Sequence, residues 1–230
     1  MTRPVGRLFV PALSTVVMLA ILTGLGVWQL ERLQWKEGLL AEIAHAEQSP
    51  AVKLPAVPSP FAKVEVTGTL REDLSALLGA EVRDTKTGTQ LGAQLIVPLQ
   101  REGAPTVLVD RGWVPMTRAA PIAMPRGEVT IDGYVRAPDH GGLFSATDNV
   151  AERRFYTLDP EKIGAALGLT DVAPFTLIEL GPTPPLQFPD PAKHLPRPPN
   201  DHLQYAITWF GLASALLVIF VIHARKTFRS

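Results

Sequence analysis

The chain contains no cysteine. That absence excludes disulfides, thiolate metal sites, thiol nucleophiles and covalent haem attachment through Cys-X-X-Cys-His. Neither charge is in excess: 22 basic residues cancel 22 acidic ones, so the footprint of a nucleic-acid binder is missing. The usual catalytic signatures are missing too. There is no Gly-X-Ser-X-Gly, no His-Glu-X-X-His and no glycine loop to cradle phosphates. No internal repeat is visible.

What is present is unevenly spread. Mean hydropathy is +0.14 over 230 residues, and the apolar residues gather at the two ends. Residues 8–30 hold no charge, which gives about 34 Å of helix at roughly 1.5 Å per residue. Residues 203–222 are likewise uncharged. A hydrocarbon core of about 30 Å needs about 20 such positions, so both stretches suffice as transmembrane helices. The first is too long for a signal peptide, and the bulky Val27-Trp28-Gln29-Leu30 that ends it offers no cleavage site. No Arg- and Ser-rich leader precedes Leu8, from which a bacterial inner (cell) membrane is expected rather than an organelle.

Charge sets the expected orientation. All the acids lie between Glu31 and Asp201, while the ends carry Arg3, Arg7, Arg225, Lys226 and Arg229 with no acid. The intervening loop holds 17 basic and 22 acidic residues, a net of −5. Basic tails stay cytoplasmic and long loops translocate largely regardless of charge. Residues 1–7 and 223–230 are therefore expected inside and the central domain in the periplasm. The tail from Arg225 onward decides this against Arg32 and Lys36, which sit at the outer end of the first span.

Between the spans the chain reads as α+β, mostly antiparallel β, or else as a barrel-like domain. Leu33, Leu40, Ile43 and Ala44 extend the first helix. A connector with Pro50, Pro55, Pro58 and Pro60 completes residues 31–60. A denser connector over 182–201 holds eight prolines and leads back to the second span, 202–222. The folded piece is expected at 61–181. Val64, Val66 and Gly68 alternate with polar residues, Leu95-Ile96-Val97 and Val107-Leu108-Val109 are short apolar runs, Val129, Ile131 and Gly133 alternate again, and 175–180 reads as a last strand. Asp159-Pro160 caps one short helix, closed by Gly168.

Chemistry is sparse in that domain. Ser145 with His140 sits in turn composition, and Asp110-Arg111-Gly112-Trp113 reads as a strand-end ion pair with a buried Trp, or else a partner contact. Of the five histidines, His45, His194 and His223 lack a second ligand at metal spacing. His202 differs because it opens the second span, with Tyr205, Ala206 and Trp209 on its helical face. An imidazole beside aromatic rings in a low-dielectric region can ligate haem iron. The alternative is an interfacial anchor, with Tyr205 and Trp209 as an aromatic belt.

Two border motifs, Gly26-Val27-Trp28-Gln29-Leu30-Glu31-Arg32-Leu33-Gln34-Trp35-Lys36 and Pro199-Asn200-Asp201-His202-Leu203-Gln204-Tyr205-Ala206-Ile207-Thr208-Trp209-Phe210, join Val109-Asp110-Arg111-Gly112-Trp113-Val114-Pro115 in order along the chain. Together they resemble the Surfeit locus protein 1 family, assembly factors of cytochrome c oxidase in the respiratory chain. The resemblance implies a non-enzymatic membrane factor that assists delivery or insertion of haem a into subunit I, with haem A synthase a further candidate partner besides the lipid bilayer. It implies His202 as an axial ligand; a site at the interface would then have Trp209 and Tyr205 as stacking candidates, faced by Trp28 and Trp35 on the first helix, with Arg32, Lys36 and Arg197 near the propionates. Other readings stay open: a subunit I chaperone that binds no haem, or a membrane-anchored enzyme or sensor. The chain departs from the usual pattern at Asp201, where asparagine is common, at Ala146 after Phe144-Ser145, and at Phe155-Tyr156. The Asp201 carboxylate is expected to orient the His202 imidazole.

Overall fold

The computed structural model describes residues 4–85, 88–117, 122–139, 141–142, 145–186 and 188–229, without the side chains of residues 4–7 and 229. Arg3, His140 and Phe144 lie outside the described residues. The chain divides into two compact units, Met1–Glu42 with Arg197–Ser230, and Ile43–Pro196.

The first unit is helical. Helix α1, Pro4–Gln48, is 45 residues long and runs unbroken past Leu30, as its apolar stripe predicts. It stops before Pro50, with the Ser49 hydroxyl donating to the His45 carbonyl at 2.9 Å. Helix α3 is His202–Arg229. Both are long and apolar enough to cross a membrane. Their most apolar stretches have mean hydropathy 2.2 and are only 17 % and 11 % buried, whereas a core helix of a water-soluble domain would be mostly covered. Most of the burial recurs every seventh residue, with Gly26 and Ile43 of α1 buried besides. On α1 the series falls at Leu8, Thr15, Leu22 and Gln29, and on α3 at Ala206 and Ala213. That is the seam of two helices in coiled-coil-like contact. Small residues at Ala206 and Ala213 are of the kind usual between helices in lipid. At Gly26 the approach leaves no room, since a Cβ would stand 2.7 Å from the Phe210 ring.

The second unit is β-rich. Strands β1 (Val52–Lys53), β2 (Lys63–Leu70), β3 (Ala76–Thr85), β4 (Gly88–Arg101), β5 (Ala104–Pro115), β6 (Glu128–Arg136), β7 (Arg154–Phe155) and β8 (Val172–Glu179) form one sheet in the order β1-β2-β6-β8-β5-β4-β3-β7. Helix α2, Pro160–Ala166, precedes β8. The sheet closes on itself. Strand β2 pairs with β6 along its length and with β4 at Thr69↔Gln100 and Leu70↔Leu99. The ring β2-β6-β8-β5-β4 is thus a small barrel, with β1 and the β3–β7 pair as extensions. Most pairings are antiparallel, but β5–β8 within the ring, and β1–β2 and β3–β7 at its extensions, are parallel.

The apolar runs explain the packing. Val107 and Val109 of β5 join Val64, Val66, Leu99 and Leu177 in one core cluster. Leu108 between them belongs to another cluster, with Ile96, Phe155, Leu158 and Ile163 of α2. A strand covered on both faces reads as a continuous apolar run instead of an alternation. Asp159 accepts from the Lys162 amide at 3.2 Å, the cap that the Asp159-Pro160 pair predicts. Strand β3 has no counterpart in the sequence reading. Its outer half, Glu81-Val82-Arg83-Asp84-Thr85, offers one apolar residue among polar ones, and Val82 itself is exposed.

Both proline-rich connectors are tied to the sheet. Strand β1 pairs with β2. In the second connector, Asp190 exchanges backbone bonds with Trp113, its N–H donating at 2.9 Å and its carbonyl accepting at 3.1 Å. Phe188 rests on the Trp113 ring at 5.6 Å between centroids. Gly112 makes this strap fit: its φ is +110°, and a Cβ would run into the Asp190 carbonyl. Gly112→Ala adds left-handed strain, about 1–3 kcal/mol, to that collision. In a fragment of residues 43–196 it is expected to lower the urea-unfolding free energy by at least about 2 kcal/mol; an effect below about 0.5 kcal/mol would show that the strap is not fixed there.

Candidate functional site

His202 is the first residue of α3, and the Asp201 carbonyl accepts the Tyr205 amide at 3.2 Å to start the helix. The imidazole Nδ1 lies 2.7 Å from Gln29 Oε1 on α1. An amide carbonyl only accepts, so a neutral ring in this bond donates from Nδ1 and leaves its lone pair on Nε2. The partner that orients the ring is therefore Gln29 on the other helix, and not Asp201, whose side chain is exposed. Sequence reasoning missed Gln29. A signal was available: it is the only amide in the uncharged run 8–30, and it falls seven residues after Leu22 in the buried series.

The remaining aromatic and basic candidates are dispersed. Trp209, seven residues beyond His202, is half-buried, and its indole N–H is covered yet has no hydrogen-bond acceptor. The Asn200 side-chain oxygen is likewise covered and unpartnered. Trp28 and Tyr205 turn out of the seam, 49 % and 55 % exposed. The Arg32 guanidinium lies over the Trp35 ring at 4.2 Å, a cation–π contact between neighbouring turns of α1. The structure thus brings His202 to Gln29, while Trp28 and Tyr205 stand apart from that bond. Among the described residues there is no group of three or more His, Asp or Glu side chains able to hold a metal ion.

In the β unit, Asp110-Arg111-Gly112-Trp113 ends β5. Arg111 pairs with Glu179 of β8, and both are largely buried. Trp113 is buried, with its Nε1–H donating to the Glu81 carbonyl at 3.2 Å. The strand-end ion pair and buried Trp are both present. Asp110 is buried beside them, and its carboxylate accepts the Gly112 amide at 2.9 Å. Burial pushes the Asp110 carboxyl up to about 6, against the opposing effect of the Gly112 bond and the Arg136 charge. It borders a cavity of about 190 Å³ that Arg83, Gln94, Tyr134 and Arg136 also line.

Comparison with known proteins agrees with this architecture. The family model described as the SURF1 family matches residues 16–214. A SURF1-like protein of Rickettsia conorii is 30 % identical over 217 residues, covering 91 % of this chain and 89 % of the relative. A SURF1-like protein of Rickettsia bellii is 30 % identical over 221 residues, covering 93 % and 90 %. Surfeit locus protein 1 of Homo sapiens is 28 % identical over 213 residues, covering 84 % of this chain and 70 % of its own.

Asp110 makes stability depend on pH with a definite sign. Its folded-state value of about 6 lies above the unfolded value of about 3.9, so the folded chain holds the extra proton between the two. The folded state is favoured at the acid end and loses that advantage as pH rises through the window. Two pKa units correspond to about 3 kcal/mol as an upper figure. Asp110→Asn keeps an acceptor for Gly112 but cannot ionise. Urea unfolding should find it about 1–3 kcal/mol more stable than wild type at pH 7.5, with the gap closing toward pH 4; a gap independent of pH would exonerate this carboxyl.

Proposed function

The chain belongs to the SURF1 family, and from that membership and the bare Nε2 of His202 we propose a non-catalytic assembly factor for haem–copper cytochrome c oxidase that assists delivery or insertion of haem a into subunit I. The observation that carries the reading is the Gln29–His202 bond, because it presents an imidazole nitrogen lone pair at the start of an apolar helix. Haem a would supply an iron able to accept that nitrogen, an apolar tail suited to lipid, and two propionates suited to water.

The residues fit such a group. Nε2 is a ligand of the type that holds haem iron. Trp209 adds a half-buried aromatic face, and its unpartnered indole N–H is a donor in want of an acceptor. Arg32 and Lys36 lie within the first border motif and Arg197 just before the second, and all three suit carboxylate partners. A single protein ligand favours release, as transfer requires. Subunit I is the receiving partner in this reading, and haem A synthase the natural donor. The acid-free basic ends support placement of both tails in the cytoplasm of a bacterial cell, with the β unit in the periplasm.

Two experiments bear on this. Protein purified from cells that make haem a is expected to show a Soret band that His202→Ala abolishes without loss of expression. Equal haem content in both, with oxidase assembly impaired only in the variant, would favour a subunit I chaperone that holds no haem. For topology, protease added outside cells stripped of their outer membrane should cut the proline-rich connector near Pro189 and spare a C-terminal tag. A tag digested from outside would reject the orientation.

A further inference from the structure

The Gln29–His202 bond invites a structural explanation first. A polar pair in an apolar seam pins the register of two helices, and removing it would loosen α1 against α3. Its chemistry goes further. Free histidine in water favours the tautomer with the proton on Nε2, which has no lone pair there to offer a metal. Here Nδ1 faces a carbonyl oxygen at 2.7 Å, an acceptor that favours, for a neutral ring, the tautomer with the proton on Nδ1. Gln29 is buried in the seam at the fourth of its regular positions, so the amide has little freedom to leave. Among the described residues the side chain that bonds to the ring is that of Gln29, while Asp201 is exposed.

We propose that Gln29 is a positioning residue for His202: its carbonyl holds the imidazole in the Nδ1–H tautomer and so keeps Nε2 available to an iron-centred macrocycle. This rests on the reading of His202 as a ligand. It adds that the ligand is prepared in advance by the other helix. In metal sites generally, such an outer partner fixes ring orientation and tautomer, and its loss costs about 10- to 100-fold in affinity. The two ends of the chain thereby become one site, because neither helix by itself supplies both the nitrogen and its orientation.

The test uses the full chain, labelled with ¹⁵N-histidine, in detergent micelles. His202→Ala assigns the His202 resonances. In wild type, the ¹⁵N shifts should report a single neutral tautomer protonated on Nδ1. Gln29→Leu keeps the size and removes the acceptor, so the shifts should move toward Nε2–H. Gln29→Glu restores an acceptor and should restore Nδ1–H. A role confined to helix packing would not sort the variants in this way. Titration with hemin (ferric protoporphyrin IX) should then give roughly 10- to 100-fold weaker binding for Gln29→Leu and near wild-type binding for Gln29→Glu. The same tautomer in wild type and Gln29→Leu, or a wild-type ring protonated on Nε2, overturns the proposal for Gln29 alone. Hemin affinity unchanged in His202→Ala overturns the ligand reading itself, and with it any role for Gln29 in ligation.

Discussion

Every polar group that leaves water must find a partner, and most of this molecule follows from that constraint. At the two ends the apolar stretches are helices because a helix satisfies its own backbone within one segment, as lipid demands. In the centre the same demand closes a sheet. The short β2–β4 pairing at Thr69 and Leu70 removes two edges and turns five strands into a barrel around Val64, Val66, Val107 and Val109. The connectors obey it as well: the strap through Asp190 takes up the backbone groups of Trp113, and the Trp113 indole finds the Glu81 carbonyl.

Gln29 and His202 apply the rule to side chains. Either would be costly in an apolar seam; together each satisfies the other, and the imidazole is left with one nitrogen committed and one uncommitted. Trp209 and Asn200 mark the same neighbourhood by the opposite sign, as polar atoms that are covered but lack a partner. Native structures hold few such atoms.

The Asp110-Arg111-Gly112-Trp113 segment plays another part. Arg111 reaches Glu179 across the β5–β8 pair, Gly112 lets the strap lie close, and Trp113 fills the space under Phe188. Three consecutive residues thus lock the end of β5 to the returning connector. A buried ion pair is weak evidence for stability. Here it brings a charge near Asp110, which already suffers from burial, so the cluster fixes geometry at some expense in free energy.

The sequence by itself determined the two spans, the unbroken first helix, the strands of the barrel core, the capped α2 and the histidine at the start of the second span. Each is a local matter: an uncharged length set against a bilayer, a period in the apolar pattern, or a cap three residues from its amide. Family membership was legible too, in three motifs kept in order. What tertiary structure alone decided involves residues far apart in the chain. Strand β3 is held by pairing with β4 and carries almost no apolar signal. Barrel closure depends on a two-residue contact between Thr69-Leu70 and Leu99-Gln100. Above all, the orientation of His202 comes from Gln29, 173 residues away. The adjacent Asp201 looked like the natural partner because it is adjacent, but the neighbour in sequence at a helix start faces solvent. A buried hydrogen bond is set by which faces of two helices meet, and a linear sequence states the faces without stating their meeting.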